Sequence, residues 1–273
     1  AITAAMKYGT GLQFFSHAHP ERFFDVGMAE QHAVTFAAGL ASKGMLPVVC
    51  IYSTFLQRSY DQILNDTSII GNHIVLAIDR AGIVPDDGET HQGIFDVPFL
   101  TTIPHVTIYA PFNFAELEIN LKQALYDVKG IAAVRYPKGG ELPCPAGYVP
   151  NFKPYTYLRS GKKAVLLITY GRIFANVLSA AKELLRLPVS VLKLTRIHPL
   201  DEECVQIARR YSHVLFFEEG SRRGGIGEYL GSRLMAERFS GSYRVRAIED
   251  FLTTCSTASG LHQVGLDVEG IVA

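Results

Sequence analysis

The stretch Phe23-Phe24-Asp25-Val26-Gly27-Met28-Ala29-Glu30-Gln31-His32 sets one carboxylate, Glu30, just beyond a short apolar run and at the opening of an Ala- and Gly-rich helical pattern. With Phe23, Phe24, Val34 and Phe36 around it, that carboxylate is expected to be partly desolvated. Burial raises a carboxyl pKa toward the range of a useful proton donor. A Glu in a first helical turn also has a plainer use, complementing the backbone dipole. The rest of the chain has to decide between the two.

Three further apolar runs are followed by polar segments. After residues 47–51 comes Tyr52-Ser53-Thr54-Phe55-Leu56-Gln57-Arg58; after 74–78 come Asp79-Arg80-Ala81-Gly82 and then Asp86-Asp87-Gly88-Glu89-Thr90-His91-Gln92-Gly93. The run ending near Val134 leads into Arg135-Tyr136-Pro137-Lys138-Gly139-Gly140. Together they offer a proton-transfer carboxylate (Glu30), aromatic faces (Phe55, Tyr52), cations (Arg58, Arg80, Arg135), and His91 beside Asp87. Guanidinium forks suit phosphate, His exchanges protons near neutral pH, and a ring can stack on a flat heterocycle. Each type has an ordinary role as well: Arg in surface ion pairs, His as a hydrogen-bonded loop residue, Phe in a core. His32 falls roughly 200° around a helix from Glu30 and is read as structural. Gly224-Gly225-Ile226-Gly227 matches neither phosphate-loop pattern and is read as a flexible loop.

What would gather these residues is a parallel sheet. Apolar runs at 23–26, 47–52, 74–78, 106–109 and 132–135 alternate with helical patterns at 30–43, 55–69 and 113–127, the last opening on Asn113 as N-cap. Most of the runs are too continuously apolar for half-exposed strands, so helices should cover both faces. Residues 141–163, with Pro143, Pro145, Pro150 and Pro154, read as a linker. A second alternation follows, with strands at 164–169, 189–194, 213–217 and 243–248 and helices near 175–187, 201–210 and 226–239. The fold class is therefore α/β, with two consecutive α/β domains of largely parallel sheets: residues 1–142, a linker at 143–162, and 163–273. In such sheets ligands sit beyond the carboxyl ends of the strands, where all four segments would emerge together.

Size and composition agree with this. At 273 residues the chain has length for two cores. Its 26 Lys and Arg balance 26 Asp and Glu, which removes a broad electrostatic case for nucleic acid or an anionic membrane. Cys50, Cys144, Cys204 and Cys255 are scattered and form no Cys-x-x-Cys pair, so a reducing, cytoplasmic type of compartment fits, with neither zinc site nor disulfide framework. No run approaches a membrane span and no signal peptide is visible. The opening Ala1-Ile2-Thr3-Ala4-Ala5-Met6 reads as the middle of a longer chain.

The quoted segments, in this order, resemble the 1-deoxy-D-xylulose-5-phosphate synthases, a family of transketolase-like thiamine-diphosphate enzymes. The resemblance spans the whole chain but corresponds to the family's two C-terminal domains, the pyrimidine-binding domain and the transketolase-type C-terminal domain. It implies a transferase that condenses pyruvate with glyceraldehyde 3-phosphate, with loss of carbon dioxide, at the head of non-mevalonate isoprenoid biosynthesis and in thiamine biosynthesis. It also implies a homodimer. Glu30 matches the Glu that hydrogen-bonds N1′ of the cofactor's aminopyrimidine and favours its imino tautomer. Phe55 matches the stacking ring, with Tyr52 and Arg58 nearby. Arg80 and Arg135 match the pair expected on the acceptor phosphate, with Tyr52 on the substrate side, and Asp87 and His91 match the acceptor-side proton pair.

Two departures qualify that resemblance. The family's Gly-Asp-Gly…Asn arrangement for the diphosphate and Mg2+ does not occur here, so the metal ligands belong to a preceding domain and the chain alone is expected to be inactive. Near the C-terminus, Asp250-Phe251-Leu252-Thr253-Thr254-Cys255 stands where a more apolar, Pro-containing stretch is expected. The competing readings are the β subunit of a 2-oxo-acid dehydrogenase E1 component and a non-catalytic dimerising fragment. A bacterial cytoplasm or a plastid stroma fits the synthase reading.

Overall fold

The computed structural model describes residues 1–141, 144–145, 147–160, 164–184 and 187–273. Pro143 and residues 146, 161 and 162 of the expected linker lie outside the described residues, as do 185 and 186 of the expected helix 175–187. Among the described residues twelve strands form two sheets: β1 Ile2–Thr3, β2 Phe24–Asp25, β3 Val48–Tyr52, β4 Ile74–Asp79, β5 Val106–Tyr109, β6 Ile131–Arg135, β7 Tyr155–Leu158, β8 Val165–Tyr170, β9 Val189–Leu194, β10 Arg196–His198, β11 His213–Ser221 and β12 Ser242–Ile248. The first sheet has seven strands in the order β10-β5-β6-β4-β3-β1-β2, and the second has five in the order β12-β11-β8-β9-β7. Every pairing of these strands is parallel except β10 with β5 and β7 with β9. The fold is thus the expected pair of largely parallel α/β sheets.

The continuous apolar runs are explained by helices on both faces. Along β4, Ile74, Leu76 and Ile78 pack with Ala33, Val34 and Ala37 of helix Glu30–Ala41. The alternate residue Val75 joins Ala132 and Val134 against Leu117, Leu121 and Leu125 of helix Phe114–Tyr126. Strand side chains alternate between faces, so the two helices lie on opposite sides of the sheet. Asn113 caps the second of them, its Oδ1 accepting from Glu116 N at 2.9 Å.

The two sheets are not independent. β10, from the second half of the sequence, adds an antiparallel edge to the first sheet, with Arg196 opposite Tyr109. One apolar cluster runs through Ile108, Ile197, Leu192 and Phe216. All four cysteines are free, and among the described residues no helix is long and apolar enough to cross a membrane.

Several elements differ from the sequence reading. β1 and β10 are two and three residues long, too short to show a period. β7 falls inside the expected linker, because Tyr155-Thr156-Tyr157-Leu158 is strand-forming although prolines precede it. The helix expected over 55–69 is broken into Ser53–Leu56, a 3-10 turn Gln57–Ser59, Tyr60–Gln62 and a π turn Ile63–Ser68. The wider π turn keeps Ile63, Thr67 and Ser68 all buried.

Candidate active site at the carboxyl edge of the first sheet

Glu30 is the first residue of its helix and is 3% exposed. Its Oε2 lies 3.4 Å from Arg58 Nη1, and among the described residues Arg58 is its one polar partner. The Arg58 side chain is 55% exposed, so the pair joins a dry carboxylate to a cation that reaches solvent. The same guanidinium lies 5.8 Å from the Phe55 ring centre.

Phe55 holds the centre of an aromatic group. Tyr52 ends β3 and Phe55 sits in the turn that follows, and their rings stack at 5.9 Å and 22°. His91 meets Phe55 edge-on at 5.4 Å and 76°. Thr90 Oγ1 lies 3.0 Å from His91 Nδ1, and Thr54 donates to the Thr90 carbonyl at 3.0 Å. Phe55 and Arg58 line a cavity of about 510 Å³ with Gln57, Thr90, Phe95 and Phe251. That volume suits a small molecule.

Arg80 adds a second cation on the far side of Tyr52. Its guanidinium carbon lies 3.6 Å from the centre of the Tyr52 ring, and Nη1 donates to Gly9 O and Asp79 Oδ1, both at 3.1 Å. Nε faces Asp87 Oδ2 at 3.5 Å without a hydrogen bond. Arg80 has φ 59°, a left-handed conformation that costs a non-glycine residue on the order of 1–3 kcal/mol and tends to occur at functional sites. Burial pushes the Asp79 carboxyl up to about 6, with the Arg80 cation pulling the other way. Lys138 bonds Asp86 at 2.9 Å and Asp87 at 2.5 Å, which ties down the acidic tip of the loop.

The sequence-derived candidates Glu30, Arg58, Phe55, Tyr52, His91, Arg80 and Asp87 thus form one chain of contacts. Arg135 does not join it. It is 5% exposed, and its fork is taken by Asp96, with Nε to Oδ2 at 2.8 Å and Nη2 to Oδ1 at 3.2 Å. Nη2 also lies 3.4 Å from the Glu219 carbonyl. The cleft beside Arg135 measures about 10 Å³, too little for a phosphate group.

Asp96, Arg172 and Glu219 escaped the sequence reading, and Lys138 stood in a quoted segment without a role. The signal for Glu219 was present: two carboxylates, Glu218 and Glu219, directly follow the apolar run 213–217. Glu218 also explains Gly224 to Gly227, since its carboxylate accepts from Ile226 N and Gly227 N at 3.0 Å. The helix terminus that a phosphate would need is filled by the protein's own carboxyl group, whose pKa burial raises to about 7. A wider cavity, of about 900 Å³, lies against Val48, Cys50, Ala77 and the Leu117, Leu121 and Leu125 stripe; none of the candidates lines it. Among the described residues the one group with metal-ligand spacing is His262, Asp267 and Glu269, with His262 and Glu269 exposed, and it includes no candidate site residue.

The model of the transketolase pyrimidine-binding domain matches residues 1–140, and that of the transketolase C-terminal domain matches 155–271. This chain belongs to the transketolase family. Within the wider transketolase family it is similar to the 1-deoxy-D-xylulose-5-phosphate synthases of Treponema pallidum, at 42% identity over 100% of this chain and 44% of that protein, and of Natranaerobius thermophilus, at 47% over 84% and 37%. The chain therefore spans less than half the length of these curated relatives. Among solved structures, a split-gene transketolase, an inactive β4 tetramer, superposes with TM-score 0.85 at 26% identity, covering 100% of this chain and 89% of that one. The transketolase of Campylobacter jejuni shares the fold, with TM-score 0.79 at 16% identity over 99% of this chain and 42% of that one. The curated relatives favour the synthase reading over the dehydrogenase β subunit.

Proposed function

We propose that this transketolase-family chain supplies the pyrimidine-facing part of a 1-deoxy-D-xylulose-5-phosphate synthase active site, in an enzyme that joins pyruvate to glyceraldehyde 3-phosphate with loss of carbon dioxide. The observation that carries this reading is Glu30, a carboxylate 3% exposed whose one polar partner among the described residues is Arg58, beside the stacked rings of Phe55 and Tyr52. A buried carboxylate with a free lone pair is what a ring nitrogen needs in order to share a proton. Thiamine diphosphate, when bound, supplies the electron sink for decarboxylating a 2-oxo acid. Glu30 holds a proton at the ring nitrogen, Phe55 stacks on the ring, and Tyr52 and Arg58 flank it. Arg80 takes the acceptor phosphate, with Arg135, whose fork is held by Asp96, as the second cation of the pair. Asp87 and His91 move a proton at the acceptor carbonyl.

The residues fit the ring half of the cofactor and not its diphosphate half, because no carboxylate or His cluster of metal-ligand spacing lies at the site among the described residues. Mg2+ and the diphosphate are accordingly assigned to a preceding domain, in a cytoplasmic homodimer. The division into 1–142 and 163–273, with 143–162 between, is part of the same proposal. One assay tests it on three proteins: the complete enzyme, its Glu30→Gln variant, and the 273-residue chain with cofactor, Mg2+ and both substrates. The complete enzyme should turn over, the variant should lose about 10²-fold or more, and the chain alone should be inactive. Near-normal turnover by the variant would reduce Glu30 to a helix-terminus charge.

A further inference from the structure

The segment that carries Asp87 and His91 leaves the first sheet and returns to it through one narrow neck. Gly82 and Gly93 pair there in both directions, with N to O distances of 2.7 and 2.8 Å. Inside the loop, Gln92 is 2% exposed, accepting from Val84 N at 3.1 Å and donating to Gly88 O at 3.3 Å. The residue next to the neck is gripped from the other sheet. Glu219, near the end of β11, accepts the Ile83 N–H at 2.8 Å, while Arg172, in the turn after β8, donates to the Ile83 carbonyl at 2.8 Å.

Arg172 and Glu219 also hold each other, with Nε to Oε2 at 2.9 Å and a second bond from Nη2 to Oε1. Arg172 Nη1 reaches the carbonyl of Lys138, whose ammonium bonds Asp86 and Asp87. Glu219 is 5% exposed and Arg172 is 9%, so water does not compete for these bonds. Gly82 has φ +86°, and a Cβ on it would fall 2.5 Å from the Glu219 carboxyl carbon. The carboxylate therefore occupies the space where any side chain at 82 would begin.

We propose that Glu219, locked by Arg172, is a positioning residue for the acceptor half of the reaction: the second sheet fixes the loop that presents Asp87 and His91. The claim rests on the synthase reading for the reaction it serves, whereas the clamp itself rests on geometry. Misplacing a reacting group by about 1 Å can cost on the order of 10²-fold in rate. Loosening the clamp should therefore damage the step that uses Asp87 and His91 and spare the step at Glu30.

The test uses Glu219→Gln, which keeps shape and an acceptor oxygen but removes the charge, and Arg172→Lys, which keeps the charge but removes the fork. In the 273-residue chain, amide hydrogen exchange across residues 83–93 should quicken by about tenfold or more in both variants, with exchange of the β4 and β6 amides unchanged. In the complete enzyme, kcat/KM for glyceraldehyde 3-phosphate should fall by about 10- to 100-fold, while carbon dioxide release from pyruvate without acceptor stays within about twofold. Unchanged loop exchange overturns the clamp. Equal loss in both half-reactions, faster loop exchange with unchanged acceptor kinetics, or global unfolding of both variants overturns the positioning role. If the unaltered complete enzyme makes no 1-deoxy-D-xylulose 5-phosphate, the synthase reading fails, and the exchange result still decides the clamp.

Discussion

Among the described residues two buried charged seams join the halves of this molecule, and they end in different places. In the first, Lys193 on β9 sits 2.6 Å from both carboxylate oxygens of Glu116 and 3.0 Å from Thr195 Oγ1, with Lys193 and Glu116 both fully buried. Glu116 also accepts from Phe112 N at 2.8 Å and from the Tyr148 hydroxyl, and none of these partners is a candidate site residue, so in that sense the seam is closed. Burial lowers the Lys193 pKa, and the Glu116 carboxylate beside it pulls it back up. The second seam, Arg172 with Glu219 and Arg135 with Asp96, is also buried, though less completely, and it ends on the backbone of a loop that carries candidate site residues. A closed seam can hold two sheets together and do nothing else, whereas an open one transmits position. Ion pairing alone does not tell the two apart, because the net worth of a buried pair can be near zero while loss of one partner is costly.

The two seams part most sharply at Lys193. Lys193→Ala leaves Glu116 charged and uncompensated, so denaturant titration should show a loss of about 3–5 kcal/mol, with donor and acceptor kinetics of the surviving folded enzyme scaled alike. A loss under about 1 kcal/mol, or an effect on the acceptor step alone, would erase the distinction between the seams. Next comes Arg135→Ala, expected to raise KM for the phosphorylated acceptor by about tenfold or more while leaving that for pyruvate nearly unchanged. Equal losses would assign Arg135 to holding Asp96 and nothing further.

The smallest effect belongs to Glu218, which neighbours the open seam without joining it. Its folded-state pKa, about 7, lies above the ordinary value of 4.5, so the native state binds the extra proton between those values. Stability from this group is full below the ordinary value and is lost as pH rises through about 7. Unfolding free energy should fall by about 1 kcal/mol from about pH 6 to about pH 8, and Glu218→Gln should flatten that slope. A slope unchanged in the variant would locate the titration elsewhere.

Much of this was legible in the sequence where burial on both faces forced continuous apolar runs, as in Ile74–Asp79 and Val106–Tyr109. The rule that ligands gather beyond strand carboxyl ends found Glu30, Tyr52, Phe55, Arg58, Arg80, Asp87 and His91, and the structure brings these seven together. It did not find the partners that orient them. Asp96 lies 39 residues from Arg135 and Glu219 lies 136 from Ile83, separations at which no local pattern survives. Strand β11 also runs past its apolar stretch to Ser221, so the two glutamates that look like the start of a loop are strand residues facing buried partners. β7 was hidden for a related reason, since the prolines before it mask a short alternating segment.

The 2.5 Å between the Glu219 carboxyl carbon and the point where a Cβ on Gly82 would stand makes two distant positions a single heritable choice. A lineage that enlarges residue 82 must both shorten or lose the acid at 219 and relax the φ of +86° that favours glycine there, so the acid and the glycine are kept or given up together. Aligned relatives should therefore show the two sites changing as a pair, across sheets that otherwise evolve at their own pace.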